Sequence, residues 1–233
     1  MGEHTYKQFD AEMEEIRSGV LAMGGLVETQ LARAIQSLRH PDLDQIDSVA
    51  ADEQAINQMQ VTIDHQCSQI IAKRQPAAID LRMILTVVKI VNELERIGDE
   101  VKKIAYKAQQ MQRPERLTGV RLFDIARAAE LAEDNVQLAL DTFARLDVNA
   151  AANVVSNDDA IDAAFLAIMR QLISYMMEDP RTITPALEIV FIAKSIERIG
   201  DHAKNIAENV VHVVKGIDVR HATAEQIRAE VAE

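Results

Sequence analysis

The chain has 233 residues, 48% of them apolar and 27% charged, so it is long enough to form one large domain or two small ones around a hydrophobic core. Aromatic residues make up only 3%, with eight Gly and five Pro, which favours helices because sheets use aromatic residues and frequent turns. The formal net charge of −12 would repel nucleic-acid phosphates and anionic lipid, so neither is expected as a direct ligand.

The start of the chain and the single cysteine bear on where the protein works. The first ten residues are polar and lack the apolar core of a signal peptide. No apolar run approaches the about 18 residues that a membrane-spanning helix needs, and Cys67 alone cannot form a disulfide framework. We therefore expect a cytoplasmic protein that does not insert into a membrane, although it could dock on a membrane protein.

Apolar residues recur at alternating steps of three and four, the pattern of amphipathic helices. Short breaks, most of them containing Pro, separate six such stripes, at 40–42, 75–76, 113–114, 147–153 and 179–180. The pattern predicts an all-α protein with six helices of about thirty residues, each on the order of 45 Å long. Short connections make neighbouring helices antiparallel. In chain order the stripes begin at Phe9, Val49, Val87, Leu122, Ile161 and Ile189.

The pentapeptide Glu-Arg-Ile-Gly-Asp occurs twice, at 95–99 and 197–201, an offset of 102 residues. The surrounding apolar stripes align at the same offset, and weaker matches between earlier helices, such as Ile56 with Ile161, lie at an offset of 105. A repeat of this length indicates duplication of a three-helix unit. We predict two tandem three-helix bundles and a C-terminal tail that frays. Their bounds are 1–112, 113–216 and 217–233.

Within each pentapeptide, the Glu and the Asp are four residues apart and so share one helix face. Like charges at this spacing destabilise a helix by roughly 0.2–0.5 kcal/mol, so a doubled pair indicates a function. The alternative is a solvated face relieved by nearby cations, Lys103 for the first pair and Lys204 for the second. The candidate ligand residues are Glu95, Asp99, Glu197 and Asp201.

The pentapeptide also places a glycine in mid-helix, at Gly98 and Gly200, where Gly costs roughly 1 kcal/mol against Ala. Glycine there allows close approach of either a neighbouring helix or a ligand, and both explanations stay open. We group these glycines with Arg96 and Arg198 as structural members of the motif.

The register of the stripes places the four acids away from the apolar seam, unlike the inward-facing Glu and Glu-x-x-His ligands of ferritin-like enzymes. An external site of carboxylates suits Mg, Ca, Mn or ferric iron, with further ligands from other helices, a second subunit or water. His202 beside the second pair is interpreted as a solvated surface residue, not a ligand. The acid pairs Asp158 with Asp162 and Glu130 with Asp134 are also interpreted as solvated faces. No catalytic motif is present, so no catalytic residue is assigned.

Several segments closely resemble the PhoU family, the accessory and regulatory proteins of the bacterial phosphate-specific transport system. The resemblance covers essentially the whole chain and implies an architecture of two three-helix bundles. The segments that carry it are 72–76, 80–82, 93–99, 169–172, 176–179 and 195–201.

The resemblance implies a negative regulator of the phosphate-starvation (Pho) response and of phosphate uptake. Its implied partners are the ATPase subunit of a phosphate ABC transporter and a phosphate-sensing histidine kinase, and it implies a homodimer. Such a protein would be cytoplasmic, and peripheral to the inner membrane through its partners. Some members bind multinuclear iron or zinc clusters at motifs that match Glu95 with Asp99 and Glu197 with Asp201. Two alternatives stay open, a surface-metal phosphohydrolase and a purely structural helical dimer.

Overall fold

A computed structural model of the protein describes the backbone of residues 2–39, 43–110, 122–220 and 222–232. Six long helices, one short helix and a 3₁₀ turn account for most of these residues, which contain no strand. The prediction of an all-α protein with six long helices is confirmed for this part of the chain. The elements are α1 (Gly2–Arg39), α2 (Leu43–Arg74), α3 (Ala78–Gln110), α4 (Leu122–Arg145), α5 (Val148–Glu178), the 3₁₀ turn (Pro180–Thr182), α6 (Ile183–Lys215) and α7 (Ala224–Ala232).

The six long helices associate as two bundles of three. Helices α1, α2 and α3 contact one another, and α4 and α5 both contact α6 and each other. The bundles pack side by side, mainly through α3 against α6 and also through α1 against α4. The predicted boundary near Arg113 lies outside the described residues, so the exact domain limits stay predictions.

The apolar stripes read from the sequence form the core of both bundles. Ile97 and Val101 on α3 are completely buried, and so are Ile199 and Ile206 on α6. Burying one large aliphatic side chain contributes about 1.5–3 kcal/mol. Because such residues recur over many turns, tertiary packing of the stripes stabilises these helices more than intrinsic propensity does.

The connection between α4 and α5 is shorter than the predicted break at 147–153, because α5 already begins at Val148. Leu146 adopts a left-handed φ of 52°, and the Asp147 carboxylate accepts hydrogen bonds from the backbone N–H groups of Asn149 (2.9 Å) and Ala150 (3.2 Å). This is an N-cap, which satisfies backbone donors that the first turn leaves unpaired. The alanines that follow are strong helix formers, so the helix starts at once.

The expectation of a frayed tail after Gly216 is wrong for the described residues. Gly216 ends α6 in the left-handed conformation with φ 77°, and its N–H donates to the carbonyl of His212. Helix α7 then packs against α5, with Ile227 completely buried and Val219 almost so. Buried apolar side chains in this charged segment therefore attach the tail to the second bundle.

Helix α5 is more apolar than its interrupted sequence indicated. Although charged and polar residues interrupt it, one 18-residue window is apolar enough to cross a membrane by length and composition. Only 17% of that window is buried, although α5 packs along α4, α6 and α7 in the second bundle. One such helix is weak evidence, so the absence of membrane insertion stays a prediction.

Each bundle contains a buried side-chain amide that joins its first helix to its second. Gln30 Nε2 donates to the carbonyl of Val49 (3.0 Å), and Asn135 Nδ2 donates to the carbonyl of Val154 (3.2 Å). Both the donors and the acceptors are 105 residues apart, the offset that the sequence indicated for the earlier helices. The duplication therefore extends to polar contacts in the core.

The motif glycines lie where a second helix crosses closely. A Cβ added at Gly200 would be 2.9 Å from both Asp158 Oδ1 and Ile161 Cδ1, and a Cβ added at Gly98 would be 3.3 Å from Ile56 Cδ1. Ile56 and Ile161 are the repeat-related pair noted in the sequence. The close approach of a neighbouring helix thus accounts for both glycines.

We expect Gly200→Ala to lower the free energy of unfolding by about 1–2 kcal/mol, because overpacking outweighs the gain in helix propensity. Gly98→Ala should have a smaller effect, since its contacts are looser. Gly25→Ala, which would meet no atom within 4 Å, should raise stability by about 0.5–1 kcal/mol. Urea unfolding followed by circular dichroism measures all three, and a Gly200→Ala protein as stable as Gly25→Ala would contradict this account.

Candidate functional site

Ionisable side chains interrupt the apolar seam between α3 and α6. Glu93 Oε2 lies 2.7 Å from His202 Nδ1 and accepts a hydrogen bond of 3.1 Å from Asn205 Nδ2. Burial raises the pKa of Glu93, but the hydrogen bonds from His202 and Asn205 and the nearby positive charges outweigh it. The pKa therefore lies below the usual range for Glu, and Glu93 is ionised at neutral pH.

Glu100 is a second carboxylate in this seam, and its carboxylate group contacts α6. It is 3% exposed and accepts hydrogen bonds from Ser195 Oγ (2.8 Å) and from Lys103 Nζ (2.9 Å). Arg198 Nη1 lies 2.9 Å from the same carboxylate. A buried carboxylate is unfavourable unless donors surround it, and three donors do so here.

The two seam contacts are related by the repeat. Ser195 stands 102 residues after Glu93, and His202 stands 102 residues after Glu100. The contacts Glu93–His202 and Glu100–Ser195 are therefore the same contact made twice. In each, one repeat contributes the earlier position and the other repeat contributes the later one. The residue types differ between the repeats. The acid is at the earlier position in the contact of Glu93 and at the later position in the contact of Glu100.

Three interpretations from the sequence need correction here. His202 is 7% exposed rather than a solvated surface residue, because α3 covers it. Lys103 pairs with Glu100 and Lys204 pairs with Asp158, at 2.9 and 3.1 Å, so neither lysine serves mainly to relieve the motif aspartates. The partner of Lys204 is supplied by the neighbouring helix α5, whereas the partner of Lys103 is the acid that follows Asp99 on the same helix.

The four motif acids lie outside the apolar core, as the register predicted, but only Asp201 is exposed. Glu95, Asp99 and Glu197 are half-buried, and Glu197 is held by Lys194 Nζ at 2.6 Å. Burial raises the pKa of Glu95, and the charge of Asp99 raises it further. Each repeat thus concentrates negative charge at one place on its third helix.

A lysine–acid pair lies close to the motif acids in each repeat. Lys102 Nζ is 3.0 Å from Glu53 Oε2 on α2, and Lys204 Nζ is 3.1 Å from Asp158 Oδ2 on α5. The lysines are 102 residues apart and the acids 105, so this contact is also duplicated. A lysine ammonium group of the same bundle therefore neutralises part of the charge beside each motif.

The interpretation of Asp158 as part of a solvated face is wrong. It is 2% exposed and lies beneath Gly200, where α5 and α6 cross. Burial raises its pKa, while the hydrogen bond from Lys204 lowers it, and the net pKa lies above the usual range for Asp. Its partner in the predicted pair, Asp162, is exposed, and so are Glu130 and Asp134, as expected.

The motif acids supply only part of a metal site. Among the described side chains, no three His, Cys, Asp or Glu residues come together so that they could hold a metal ion. A multinuclear iron or zinc cluster does not fit two carboxylates next to a lysine–acid pair without further ligands. Binding of iron, zinc, Mg, Mn or Ca at these motifs stays a prediction, and it requires donors from water or a second molecule.

Sequence reasoning missed Glu93, Glu100 and Glu53, three of the acids that make contacts between helices. The first two flank the pentapeptide, and a signal for them was present. In the alignment of the two repeats, Glu93 corresponds to Ser195 and Glu100 corresponds to His202. Such a change of residue type between equivalent positions indicates a contact between the copies. Glu53 carried no comparable signal, because the second helices match only weakly.

The fold and the site define a protein of two helical repeats with a duplicated acidic motif and a charged seam between the repeats. The PhoU domain model matches the chain twice, over residues 20–108 and 125–210. The chain belongs to the PhoU family, as its sequence segments indicated.

Known relatives match over nearly their full length. The phosphate-specific transport system accessory protein PhoU homolog of Pseudomonas putida is 44% identical over 98% of this chain and 89% of that protein. The accessory protein PhoU of Escherichia coli K12 is 41% identical over 97% of this chain and 93% of its own length.

Two solved structures share the fold. The crystal structure of PhoU from Pseudomonas aeruginosa superimposes with a TM-score of 0.86 at 43% identity, covering 90% of this chain and 100% of that one. The phosphate transport system regulatory protein PhoU from Streptococcus pneumoniae superimposes with a TM-score of 0.83 at 25% identity, covering 91% of this chain and 99% of that one.

Glu208 gives the second bundle a measurable pH dependence. Burial raises the pKa of this carboxyl from 4.5 to about 7, and the charges of Asp218 and Asp158 act in the same direction. The folded state therefore binds this proton more tightly than the unfolded state, so stability from this group falls as pH rises from about 4.5 to about 7. We therefore compare the free energy of unfolding of Glu208→Gln with that of the wild type. The difference should shift in favour of the variant by about 1–3 kcal/mol between about pH 5 and about pH 8.

Urea unfolding at the two pH values measures this difference, and Glu225→Gln on the exposed face of α7 is the matched control. Equal pH slopes for the wild type and Glu208→Gln would show that Glu208 is not desolvated in the folded protein.

We expect the isolated chain to bind Mg²⁺ or Mn²⁺ only weakly, with an affinity of about millimolar order, because two carboxylates make up a small part of a coordination shell. Asp99→Ala combined with Asp201→Ala should remove this binding. Calorimetric titration of both proteins measures it, with Glu130→Ala/Asp134→Ala as the control for loss of surface charge. Metal uptake that the Asp99→Ala/Asp201→Ala protein retains would place the ligands elsewhere.

Proposed function

We propose that this protein is a non-catalytic regulator of the phosphate-specific transport system, which keeps the Pho response off and restrains phosphate uptake when phosphate is plentiful. It works in the cytoplasm as an adaptor between the ATPase subunit of the phosphate ABC transporter and a phosphate-sensing histidine kinase. The observation that carries this proposal is the near full-length identity of 41–44% to proteins named as accessory proteins of that system.

The geometry suits an adaptor. Glu93 and Glu100 tie the two bundles together through buried hydrogen bonds, so the bundles form one unit with two related acidic faces. A partner that contacts both motifs would then meet a fixed spacing between them. Homodimerisation would present each face twice, and we include a homodimer in the proposal, to be tested by sedimentation equilibrium.

The alternative of a metal-dependent phosphohydrolase finds less support. Such an enzyme needs a metal site with an open position for substrate. The described side chains do not assemble the three or more ligands from which that site would be built. The experiment below distinguishes a purely structural dimer from a regulator, because only the loss of a regulator changes the Pho response.

Deletion of the gene in its own host should raise alkaline phosphatase activity in phosphate-rich medium, and restoring the wild-type gene should suppress it again. We expect Asp99→Ala/Asp201→Ala to restore repression only partly while its helical content and melting temperature stay near those of the wild type. Both positions lie outside the core, and removing like charge from a helix face is not destabilising.

The matched control is Glu130→Ala/Asp134→Ala, which removes an exposed acid pair of the same spacing that does not recur in the other repeat. It should restore full repression. Low phosphatase activity in the deletion strain would exclude the regulatory role. Full repression by a well-folded Asp99→Ala/Asp201→Ala protein would exclude the acidic motifs from that role.

A further inference from the structure

An apolar stripe follows the outward face of α6. Ile183, Leu187 and Phe191 recur at every fourth residue, so they lie one above another on the helix. Their exposed fractions are 42, 43 and 55%. Large side chains this exposed and this regularly spaced indicate a surface that another molecule covers.

The stripe ends in a cluster of cations. Phe191 lines a groove of about 280 Å³ between α3 and α6, together with Lys103 and Lys107 from α3 and Lys194 and Arg198 from α6. The Lys107 ammonium group lies 5.1 Å from the centroid of the Phe191 ring, a cation–π contact that joins the apolar and the charged parts. We call these five residues and Leu187 the α3–α6 groove.

Three of the four cations of the groove lie above their acidic partners, whereas Lys107 pairs with Glu188 on α6 at 2.6 Å and these two side chains are similarly exposed, at 28 and 22%. The Lys103 side chain is 54% exposed over Glu100 at 4%, and the Lys194 side chain is 49% exposed over Glu197 at 13%. Arg198, 47% exposed, also pairs with Glu100. At Lys103, Lys194 and Arg198 an approaching molecule therefore meets ammonium and guanidinium groups first, and these groups have more N–H donors than their paired carboxylates occupy.

We propose that the α3–α6 groove docks an acidic, amphipathic helical segment of a partner protein, and this deepens the proposed function because it assigns the adaptor one partner surface. The apolar side of the segment covers Leu187 and Phe191, and its flanking carboxylates meet the exposed cations. Charge complementarity selects this occupant. The chain as a whole has a net charge of −12, so an acidic segment is repelled from most of the surface and attracted to this groove.

A small anion such as inorganic phosphate fits less well. It would leave the apolar stripe uncovered, and a dianion would approach the buried Glu100 carboxylate beneath the cations. An acidic segment spreads its charge along the helix and also buries the apolar side chains.

Photo-crosslinking in the host tests the groove in the full-length protein. Phe191 is replaced by p-benzoylphenylalanine, and the same residue at Lys89, the exposed repeat-related position on α3, is the matched control. Cells growing in phosphate-rich medium are irradiated, and the partner peptide joined to each position is sequenced. We expect an adduct at Phe191 whose partner segment has apolar residues at helical spacing with Asp or Glu beside them.

Two sets of variants test both halves of the groove on the Phe191 adduct. Lys103→Gln/Lys194→Gln should lower its yield about tenfold, the effect of weakened charge complementarity at an interface rim, whereas Lys103→Arg/Lys194→Arg should keep it. Leu187→Gln should lower it through the apolar contact. The three replaced side chains are about half exposed, and the melting temperature of each variant is measured to confirm that it is folded.

Four outcomes would overturn the inference: no adduct at Phe191 above that at Lys89, an adduct with a second copy of this chain, a partner segment without acidic residues, or a yield that the Gln variants leave unchanged. The same strains report phosphatase repression. If the groove fails any of these tests while the protein still represses phosphatase, the groove is excluded and the regulatory function stands. If deletion of the gene does not raise phosphatase activity, the regulatory function itself is excluded.

Discussion

The packing of α3 against α6 is the contact on which the two-bundle architecture depends. Its apolar stripe supplies most of the attraction, but apolar ridges alone tolerate sliding by a helical turn. Glu100 removes that freedom, because moving it away from Ser195 and Arg198 would leave a buried carboxylate without donors, at a cost of about 1–3 kcal/mol or more. The polar contacts of the seam therefore define the register, and the register in turn defines how far apart the two acidic motifs lie.

The surface of the protein is divided by sign of charge despite its acidic composition. Beside each Glu-x-x-x-Asp motif, a lysine of the third helix pairs with an acid of the second helix, Lys102 with Glu53 in the first repeat and Lys204 with Asp158 in the second. Between the bundles, Lys103 and Arg198 lie outside the buried Glu100 carboxylate. Partners of opposite charge can thus be recognised on different faces of one molecule, as the proposed adaptor function requires.

The fold was largely predictable because its determinants are periodic. Heptad-like stripes, prolines at the breaks and a repeated pentapeptide are all visible in one dimension, and they gave the helices and their grouping. The errors have a common cause. His202, Asp158 and the tail around Ile227 were interpreted from their own segment, where each looks polar or irregular, but a neighbouring helix covers each of them. Which neighbour covers a residue depends on the rotation of whole helices, and spacing along a single helix does not contain that information.

The exchange of residue types across the seam also decides which halves can pair. Two first repeats brought together in the same antiparallel arrangement would place Glu93 opposite Glu100 twice, so carboxylates would face each other in a buried contact. Two second repeats would place Ser195 opposite His202 and lose both acids. Only the unlike combination satisfies every group. The divergence of the two copies thus disfavours pairing between identical halves, a misassembly to which any internally duplicated chain is exposed during synthesis.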